Sequence, residues 1–280
     1  MSVKIHSIQT DTVLIRPNQR QGKGAGVARL INTFSDRQWT EPLPIYAWVI
    51  EHPEGVIVID TGETADATVS GYFPAWHPYF KNVSMQVNRE QEIGFQLRAL
   101  GYREEDIRWV ILTHLHTDHA GGLRHFPKSE ILVMRRAFES AIGVMGQMRG
   151  FLPHRLPTWF APKLIDLLPH PFAIFPGSFP VTDANDVLIV PTFGHTDAHI
   201  SVILQDSDLT YFFAGDASYT QQLMLDQQID GVALDSKQAA QTLPRIRQFA
   251  QSTPIIYLPT HDPESAERLD GKQFTRIENK

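Results

Sequence analysis

The feature that most constrains this chain is a dense run of histidine and aspartate directly after an apolar segment. Residues 109–112 read as a buried strand, and His114, His116, Asp118 and His119 follow it within a few positions. Alternate residues of an extended chain point to the same side, so His114 and His116 are expected to face the same way. Asp118 and His119 are neighbours and must diverge, so the two pairs favour two metal ions. Without a cation, the packed groups would leave buried polar atoms unpaired, at a cost of several kcal/mol.

Three more residues of the same chemistry each follow an apolar run later in the chain: His195 after 187–190, Asp216 after 211–214 and His261 after 255–258. Any one of them alone is consistent with an ordinary polar residue at a strand end. Together with the first cluster they complete a predicted set of metal ligands, which consists of His114, His116, Asp118, His119, His195, Asp216 and His261.

The composition limits the metal and the compartment. The 280 residues include no cysteine, so only nitrogen and oxygen ligands are available. Two divalent ions are therefore expected, with zinc as the first choice and iron, manganese or cobalt as alternatives. The lack of cysteine also fits a reducing cytoplasm, which is where we expect the protein to reside.

Charge and hydropathy exclude two classes of partner. The formal net charge is −6 and the sequence has no basic run, which argues against nucleic acid. No apolar stretch approaches the roughly 18 residues that a membrane span needs, and the N-terminus lacks the apolar segment of a signal peptide. A small molecule is therefore the expected partner.

The apolar patterns predict a single domain over residues 1–280. Strands are predicted at 3–15, 45–50, 56–59, 109–112, 131–134, 187–190, 200–204, 210–214 and 255–258, and helices at 89–100, 136–147 and 236–250. Residues 16–40 and 63–88 are expected to form loops, because no helical pattern is evident in the first and the second is aromatic and irregular. The alternation of hairpins and helices, with each candidate ligand at a strand end, indicates two sheets sandwiched between helices.

These motifs resemble one known family. The His-x-His-x-Asp-His pattern at 114–119, Gly-His at 194–195, Gly-Asp at 215–216, the late His261 and Asp-Thr-Gly at 60–62 are similar to the metallo-β-lactamase superfamily. The resemblance implies an α/β fold, the αββα sandwich of two mixed sheets flanked by helices. It also implies a hydrolase.

The resemblance divides the ligands between two metals. It implies that one metal is held by His114, His116 and His195, and that the other is held by Asp118, His119 and His261. Asp216 would bridge the two. Asp60 matches a residue that supports the ligands from behind, as metal-bound histidines usually require.

The segment Asp-Ala-Ser-Tyr-Thr at 216–220 narrows the resemblance to the N-acyl-homoserine lactonases. This implies that a metal-bridging hydroxide opens the lactone ring. Asp118 would pass a proton to the leaving group, and Tyr219 would donate a hydrogen bond to the oxyanion. The alternatives are another lactone, an aryl ester or an organophosphate as substrate, and, more remotely, a non-catalytic metal-binding protein.

Two segments keep more than one interpretation. The apolar stretch 145–168 is expected to be an acyl-chain wall, ordinary core or a dimer surface. The segment 16–40 resembles the place where such lactonases dimerise, so a homodimer is expected. The remaining histidines are expected to be structural or exposed, and they are His6, His52, His77, His125, His154, His170 and His199.

Overall fold

The apolar segments form two β-sheets, as seen in a computed structural model that describes residues 3–277. The strands are β1 (Lys4–Leu14), β2 (Leu43–His52), β3 (Gly55–Ile59), β4 (Ser84–Gln86), β5 (Ile107–Ile111), β6 (Glu130–Met134), β7 (Lys163–Ile165), β8 (Phe179–Pro180), β9 (Val187–Pro191), β10 (Ile200–Asp206), β11 (Leu209–Gly215) and β12 (Ile255–Pro259). The helices are α1 (Pro17–Arg20), α2 (Val27–Ser35), α3 (Ile93–Ala99), α4 (Thr117–Ala120), α5 (Arg135–Ala141), α6 (Gly143–Met148), α7 (Gln221–Leu225), α8 (Ser236–Ser252) and α9 (Ser265–Asp270).

Both sheets mix parallel and antiparallel strands. The first has the order β4-β1-β2-β3-β5-β6-β7, and the second has the order β12-β11-β10-β9-β8. In the first sheet β3, β5 and β6 run parallel, whereas β1, β2 and β3 pair antiparallel. In the second sheet β11 and β12 are the parallel pair. The predicted arrangement of two mixed sheets is confirmed.

The main core lies between the two sheets. Trp48 on β2 and Phe213 on β11 meet across the sandwich, with ring centroids 5.7 Å apart. On the outer face of the second sheet, Phe249 of α8 packs against Phe212 at 6.2 Å. On the first sheet, Ile93 of α3 joins the main core. Helices therefore cover outer faces while the inner faces bury each other, as the layered class requires.

The parallel pairs decide where polar residues meet. The carboxyl ends of neighbouring parallel strands lie at the same edge of a sheet, so the residues that follow them are brought together. Asp60 follows β3 and His114 follows β5, in one sheet. Asp216 follows β11 and His261 follows β12, in the other.

Two predictions about helices were wrong. Residues 16–40 are not a plain loop, because α1 and α2 lie within them. The apolar positions of α2 are spaced as on one helical face, but glycine and polar residues on either side obscured the pattern. The single helix predicted at 136–147 is two helices, because Ile142 is extended (ψ 155°) and Gly143 has φ 76°.

Short strands that the sequence did not predict lie in two irregular stretches. β4 lies within 63–88, which was expected to be a loop, and β7 and β8 lie within 151–180, which is rich in proline and aromatic residues. These strands have two or three residues each, which is too short for alternation to be visible in the sequence. Among the helices in the described residues, none has both the length and the apolar character needed to span a membrane.

The loop after β3 depends on a glycine. Gly62 has φ 66°, and a Cβ built on it would lie 2.0 Å from Oγ1 of Thr10. Thr10 is fully buried, and its Oγ1 donates a hydrogen bond to the carbonyl of Ile45 at 3.1 Å. The amide of Gly122 donates to the carbonyl of Gly62 at 3.1 Å, which ties this loop to the histidine-rich one.

We expect Gly62→Ala to lower the free energy of unfolding by roughly 2–5 kcal/mol, because left-handed strain and overlap with Thr10 act together. Urea denaturation measures the change. Gly71→Ala is the matched control, because Gly71 has φ 86° but a Cβ placed on it would meet no atom within 4 Å. It should lose only about 1 kcal/mol from backbone strain. Equal losses in the two variants would contradict the role given to the contact with Thr10.

Candidate metal centre

The seven predicted ligands converge on one place between the ends of the two sheets. Their side-chain nitrogen and oxygen atoms form three groups in which all atoms lie within 4.8 Å of one another. The groups are His114, His116 and His195; His114, His119 and Asp216; and Asp118, His119 and His261. The residues come from four separate segments of the chain, so only the tertiary fold unites them.

Asp216 lies between the two outer groups. Its Oδ2 is 3.4 Å from Nε2 of His195, while its Oδ1 is 3.3 Å from Nε2 of His119 and 3.4 Å from Nε2 of His261. One carboxylate oxygen thus faces each side. This is the arrangement required of a residue that bridges two metals.

The histidine-rich loop combines an extended segment with one turn of helix. His114 and His116 precede α4, His116 is extended (φ −69°, ψ 155°), and α4 then carries Asp118 and His119. The backbone of His116 caps that turn, because its carbonyl accepts from the amide of His119 at 3.1 Å. The change of backbone conformation turns the second pair of side chains away from the first. The expectation that Asp118 and His119 diverge from each other was wrong, because Oδ1 of Asp118 lies 4.0 Å from Nε2 of His119 and both belong to the third group. Consecutive residues of a helical turn are not on opposite sides, as they would be in a strand, so both side chains can face one point.

Asp60 anchors the loop from behind, at the position predicted. Its Oδ2 accepts hydrogen bonds from Nδ1 of His119 at 2.8 Å and from Oγ1 of Thr113 at 2.9 Å. Since Thr113 gives its own proton to Asp60, its oxygen accepts from Nδ1 of His114 at 3.1 Å. Both rings therefore have Nδ1 protonated and present the lone pair of Nε2 to the centre.

Two more histidines are oriented in the same way. Nδ1 of His261 donates to the carbonyl of Pro44 at 2.8 Å, and Nδ1 of His195 lies 3.4 Å from Oδ2 of Asp230. In each case Nε2 is the inward atom. Sequence reasoning missed Asp230, because it lies in an irregular segment and no motif surrounds it.

His199 also supports the site without joining it. Its ring is fully buried, and its Nε2 accepts a hydrogen bond from the backbone amide of Asp216 at 3.0 Å. Its Nδ1 is 2.9 Å from Oγ1 of Thr192. The predicted structural role of His199 fits this position, in which it fixes the backbone of Asp216.

The electrostatics of the centre suit cations. Burial, together with the charge of His195, lowers the pKa of His116 to about 3, so this ring is a neutral donor of its lone pair. Burial alone would also lower the pKa of His261, but the carboxylates of Asp216 and Asp118 outweigh it and raise that pKa to about 10. The same negative potential that would hold a proton on His261 attracts a divalent ion.

Unsatisfied atoms give a direct test of the fit. Within residues 3–277, Nε2 of His119 and Oδ1 of Asp216 are buried and have no hydrogen-bond partner. Nε2 of His114 lies 2.9 Å from Nδ1 of His116, so two imidazole nitrogens face each other. Metal ions would coordinate all four atoms. Without them, these atoms are removed from water with no interaction that compensates for the loss of hydration. The donor set therefore fits two divalent ions.

Tyr219 lies beside this centre. Its ring stacks on His261 with centroids 5.4 Å apart and meets His195 edge-on at 6.4 Å. Burial and the charge of Asp216 raise the pKa of Tyr219 well above its ordinary value, so the phenol stays protonated. Asp262, the residue after His261, does not face the centre in this way: it accepts a hydrogen bond from Arg268 at 3.1 Å and from the amide of Gln221 at 2.9 Å.

An apolar cavity of about 350 Å³ leads away from His116. Its wall comes from four segments: Leu30 and Phe34 of α2, residues 76–79, Met148 and Arg149, and residues 232–234. Tyr79 stands deepest toward the metal centre, with its ring 6.3 Å from that of His116. Sequence reasoning gave Tyr79 no role, because aromatic residues in an irregular segment carry no positional signal.

The apolar stretch 145–168 divides among different roles. Phe151 is buried and stacks on His116 at 5.0 Å, so it is core packed against the site. Met148 lines the cavity, whereas Met145 is 61% exposed outside it. The cavity wall is therefore built mostly from segments other than the one considered in the sequence.

Comparison with known proteins agrees with these observations. The family model described as the metallo-beta-lactamase superfamily matches residues 40–261. Over 223 residues the chain is 26% identical to an N-acyl homoserine lactonase of Bacillus cereus, covering 79% of this chain and 82% of that protein. Over 176 residues it is 28% identical to a probable metallo-hydrolase of Mycobacterium tuberculosis, covering 61% of this chain and 56% of that protein.

Solved structures share the fold. An N-acyl homoserine lactone hydrolase with N-hexanoyl-L-homoserine bound at its catalytic metal centre superposes with a TM-score of 0.75 at 20% identity, covering 98% of this chain and 100% of that one. AidC, a dizinc quorum-quenching lactonase, gives a TM-score of 0.66 at 14% identity, covering 93% and 88%. The predicted αββα sandwich is confirmed.

We expect Asp216→Asn to reduce the bound divalent metal from about two ions per chain to one or fewer. The amide loses the charge and one of the two oxygens that face the outer groups. Elemental analysis after gel filtration measures the change. Asp226→Asn, on an exposed carboxylate at the end of α7, is the control and should keep both ions. Two ions in the Asp216 variant would refute the bridging position.

Proposed function

The chain belongs to the metallo-β-lactamase superfamily, and we propose that it is a metal-dependent hydrolase that opens the lactone ring of N-acyl homoserine lactones. The observation that carries this proposal is the convergence of all seven candidate ligands beside a buried tyrosine and an apolar cavity. The likeness to lactonases of Bacillus supports the choice of substrate.

The geometry supports one division of the candidate ligands between two ions. We assign His114, His116 and His195 to one ion, and Asp118, His119 and His261 to the other, with Asp216 shared. When bound, such ions supply an activated water at neutral pH and polarise the substrate carbonyl. We propose zinc, which nitrogen and carboxylate ligands suit.

Asp118 and Tyr219 act on the substrate. Asp118 is the partly exposed member of the set, with Oδ2 at 3.4 Å from Nε2 of His261. In the proposed reaction Asp118 takes up the proton that the attacking water gives off and passes it to the alkoxide that leaves when the ring opens. Tyr219 keeps its proton, so its hydroxyl can donate to the oxygen that becomes negative as the carbonyl is attacked.

The cavity beside His116 gives the acyl chain a place. Its walls from α2, Tyr79 and Leu234 are apolar, and a chain lying there would lead away from the metals. Burial of each methylene contributes about 0.8 kcal/mol, so longer chains gain affinity as long as the wall continues. We also propose a homodimer, which the exposed apolar residues Val27 and Ile31 on α2 support.

The experiment that tests the function is proton release with N-hexanoyl-homoserine lactone, compared with a simple aryl ester and an organophosphate triester. We expect the lactone to be the best substrate by kcat/KM and a chelator to abolish turnover of all three. Preference for the ester or the triester would overturn the substrate assignment. Turnover that survives removal of the metals would overturn the mechanism.

We expect Tyr219→Phe to lower kcat for the lactone by roughly 10- to 100-fold, because one donor to the oxyanion is lost. KM and the content of two metals should change little. Tyr211→Phe, on the buried strand β11, is the control and should leave kcat unchanged. Unaltered lactone hydrolysis by the Tyr219 variant would remove the oxyanion role.

We expect Leu30→Asn to lower kcat/KM about tenfold for a decanoyl substrate and less than twofold for a butanoyl one, because Leu30 lines the cavity. Val144→Asn on α6 is the control, since Val144 is 74% exposed and is not part of the cavity wall. The ratio of the two kcat/KM values is the measurement. Equal losses for both substrates would show that the acyl chain lies elsewhere.

A further inference from the structure

Backbone hydrogen bonds attach the segment that contains α1 and α2 to residues 229–231, beside the metal centre. The amide of Gly231 donates to the carbonyl of Gln19 at 2.7 Å, and the amide of Gly22 donates to the carbonyl of Ile229 at 2.9 Å. Oγ1 of Thr33 bonds to the carbonyl of Asn18 at 3.1 Å. Residues 229–231, which make these hydrogen bonds with the α1 segment, include Asp230, whose carboxylate faces Nδ1 of His195. The position of α1 is therefore tied to that of the ligands.

This attachment brings one polar side chain of α1 into the site. Gln19 is only 1% exposed, and its Nε2 donates a hydrogen bond to the phenol oxygen of Tyr219 at 3.2 Å. Within the described part of the chain, Oε1 of Gln19 is buried without a partner. An amide left half satisfied in this way costs about as much as a lost hydrogen bond. An apolar residue would avoid that cost, so stability does not explain glutamine here.

The hydrogen bond fixes which way the hydroxyl of Tyr219 can act. Because its oxygen already accepts from Gln19, its own proton is free to point elsewhere. Among residues 3–277 the hydroxyl makes no second hydrogen bond, so no protein group competes for that proton. A phenol that accepts one hydrogen bond also becomes a stronger donor in another.

A second phenol lies near Tyr219. The ring of Tyr79 lies beside that of His116 and packs in the same apolar cluster as Tyr219. Burial and the charges of Asp118 and Asp216 raise the pKa of Tyr79 well above its ordinary value, so this phenol also keeps its proton. Two protonated tyrosines therefore flank the centre, and Gln19 donates its hydrogen bond to one of them, Tyr219.

We propose that Gln19 is a positioning residue that holds the hydroxyl of Tyr219 so that its proton points at the carbonyl oxygen of the substrate. The proposal rests on the function proposed above, because it acts through the oxyanion role of Tyr219. It adds α1, a segment without any metal ligand, to the machinery of the reaction.

Gln19→Met is the main test, because methionine keeps the length of the side chain and removes both polar atoms. We expect kcat for the lactone to fall roughly tenfold, with KM, metal content and the urea midpoint unchanged or the midpoint higher. Gln21→Met is the matched control, since Gln21 is an exposed neighbour whose side chain bonds only to Gln228. A lower midpoint or lost metal in the Gln19 variant would mean a structural role and would overturn the proposal.

A double-mutant cycle separates action through Tyr219 from any other contribution. In a Tyr219→Phe background, Gln19→Met should lower kcat by less than a further twofold, because the group that it positions is already absent. The same tenfold loss in both backgrounds would overturn the proposal. Repeating the cycle with the aryl ester keeps it decisive if that ester proves the better substrate.

A spectroscopic readout needs no substrate. The difference between Raman spectra of the metal-loaded protein and its Tyr219→Phe variant isolates the phenol doublet, which reports whether the oxygen accepts a hydrogen bond. We expect this signature of an acceptor in the wild type and its loss in Gln19→Met. An unchanged doublet would overturn the inference even if the lactone is hydrolysed. Loss of the signature without any lactone hydrolysis would uphold the contact and place the failure in the proposed function.

Discussion

The structure depends on buried carboxylates that face buried imidazoles where the ends of two sheets meet. Asp216 lies within 3.4 Å of nitrogens from three histidines, and its Oδ1 has no hydrogen-bond partner in the described chain. Such a group is costly in a protein interior unless opposite charge compensates it. The unpaired carboxylate lies where Asp60, Asp230 and the carbonyl of Pro44 orient the histidine rings around it. Cations complete that arrangement, because they pair with every inward atom at once.

The sequence brought out the candidate ligands because their signal is local. His114 to His119 are contiguous, and His195, Asp216 and His261 each follow a strand whose apolar run is visible. The supports have no such signal, since Asp230 reaches His195 from 35 positions away and Gln19 reaches Tyr219 from 200 positions away. Contacts of that separation arise from packing of segments whose own residues look unremarkable. The residues of the site that sequence reasoning missed are therefore the supporting ones, which lie in irregular segments.

The misread segment 16–40 illustrates the physical reason. α1 has only four residues, and α2 leaves its apolar residues Val27 and Ile31 exposed. α1 is too short to show a helical period, and the single apolar face of α2 was obscured by the glycine and polar residues on either side of the helix. Their positions are set instead by backbone hydrogen bonds to residues 229–231. Two glycines, Gly22 and Gly231, permit the close approach of the two backbones, and a hydropathy pattern contains no sign of it.

Chemistry and specificity come from different parts of the molecule. The ligands stand at the ends of strands, whose mutual register fixes them within the rigid sandwich. The groups proposed to meet the substrate stand on segments between strands, among them Tyr219, Leu30 on α2 and Tyr79. Changes there can alter the cavity without disturbing the rings that Asp60 holds. Gln19 links the two parts. Its backbone carbonyl accepts a hydrogen bond from Gly231, next to the Asp230 that orients His195, and its side chain donates a hydrogen bond to Tyr219. A substitution in α1 should therefore affect turnover before it affects metal binding.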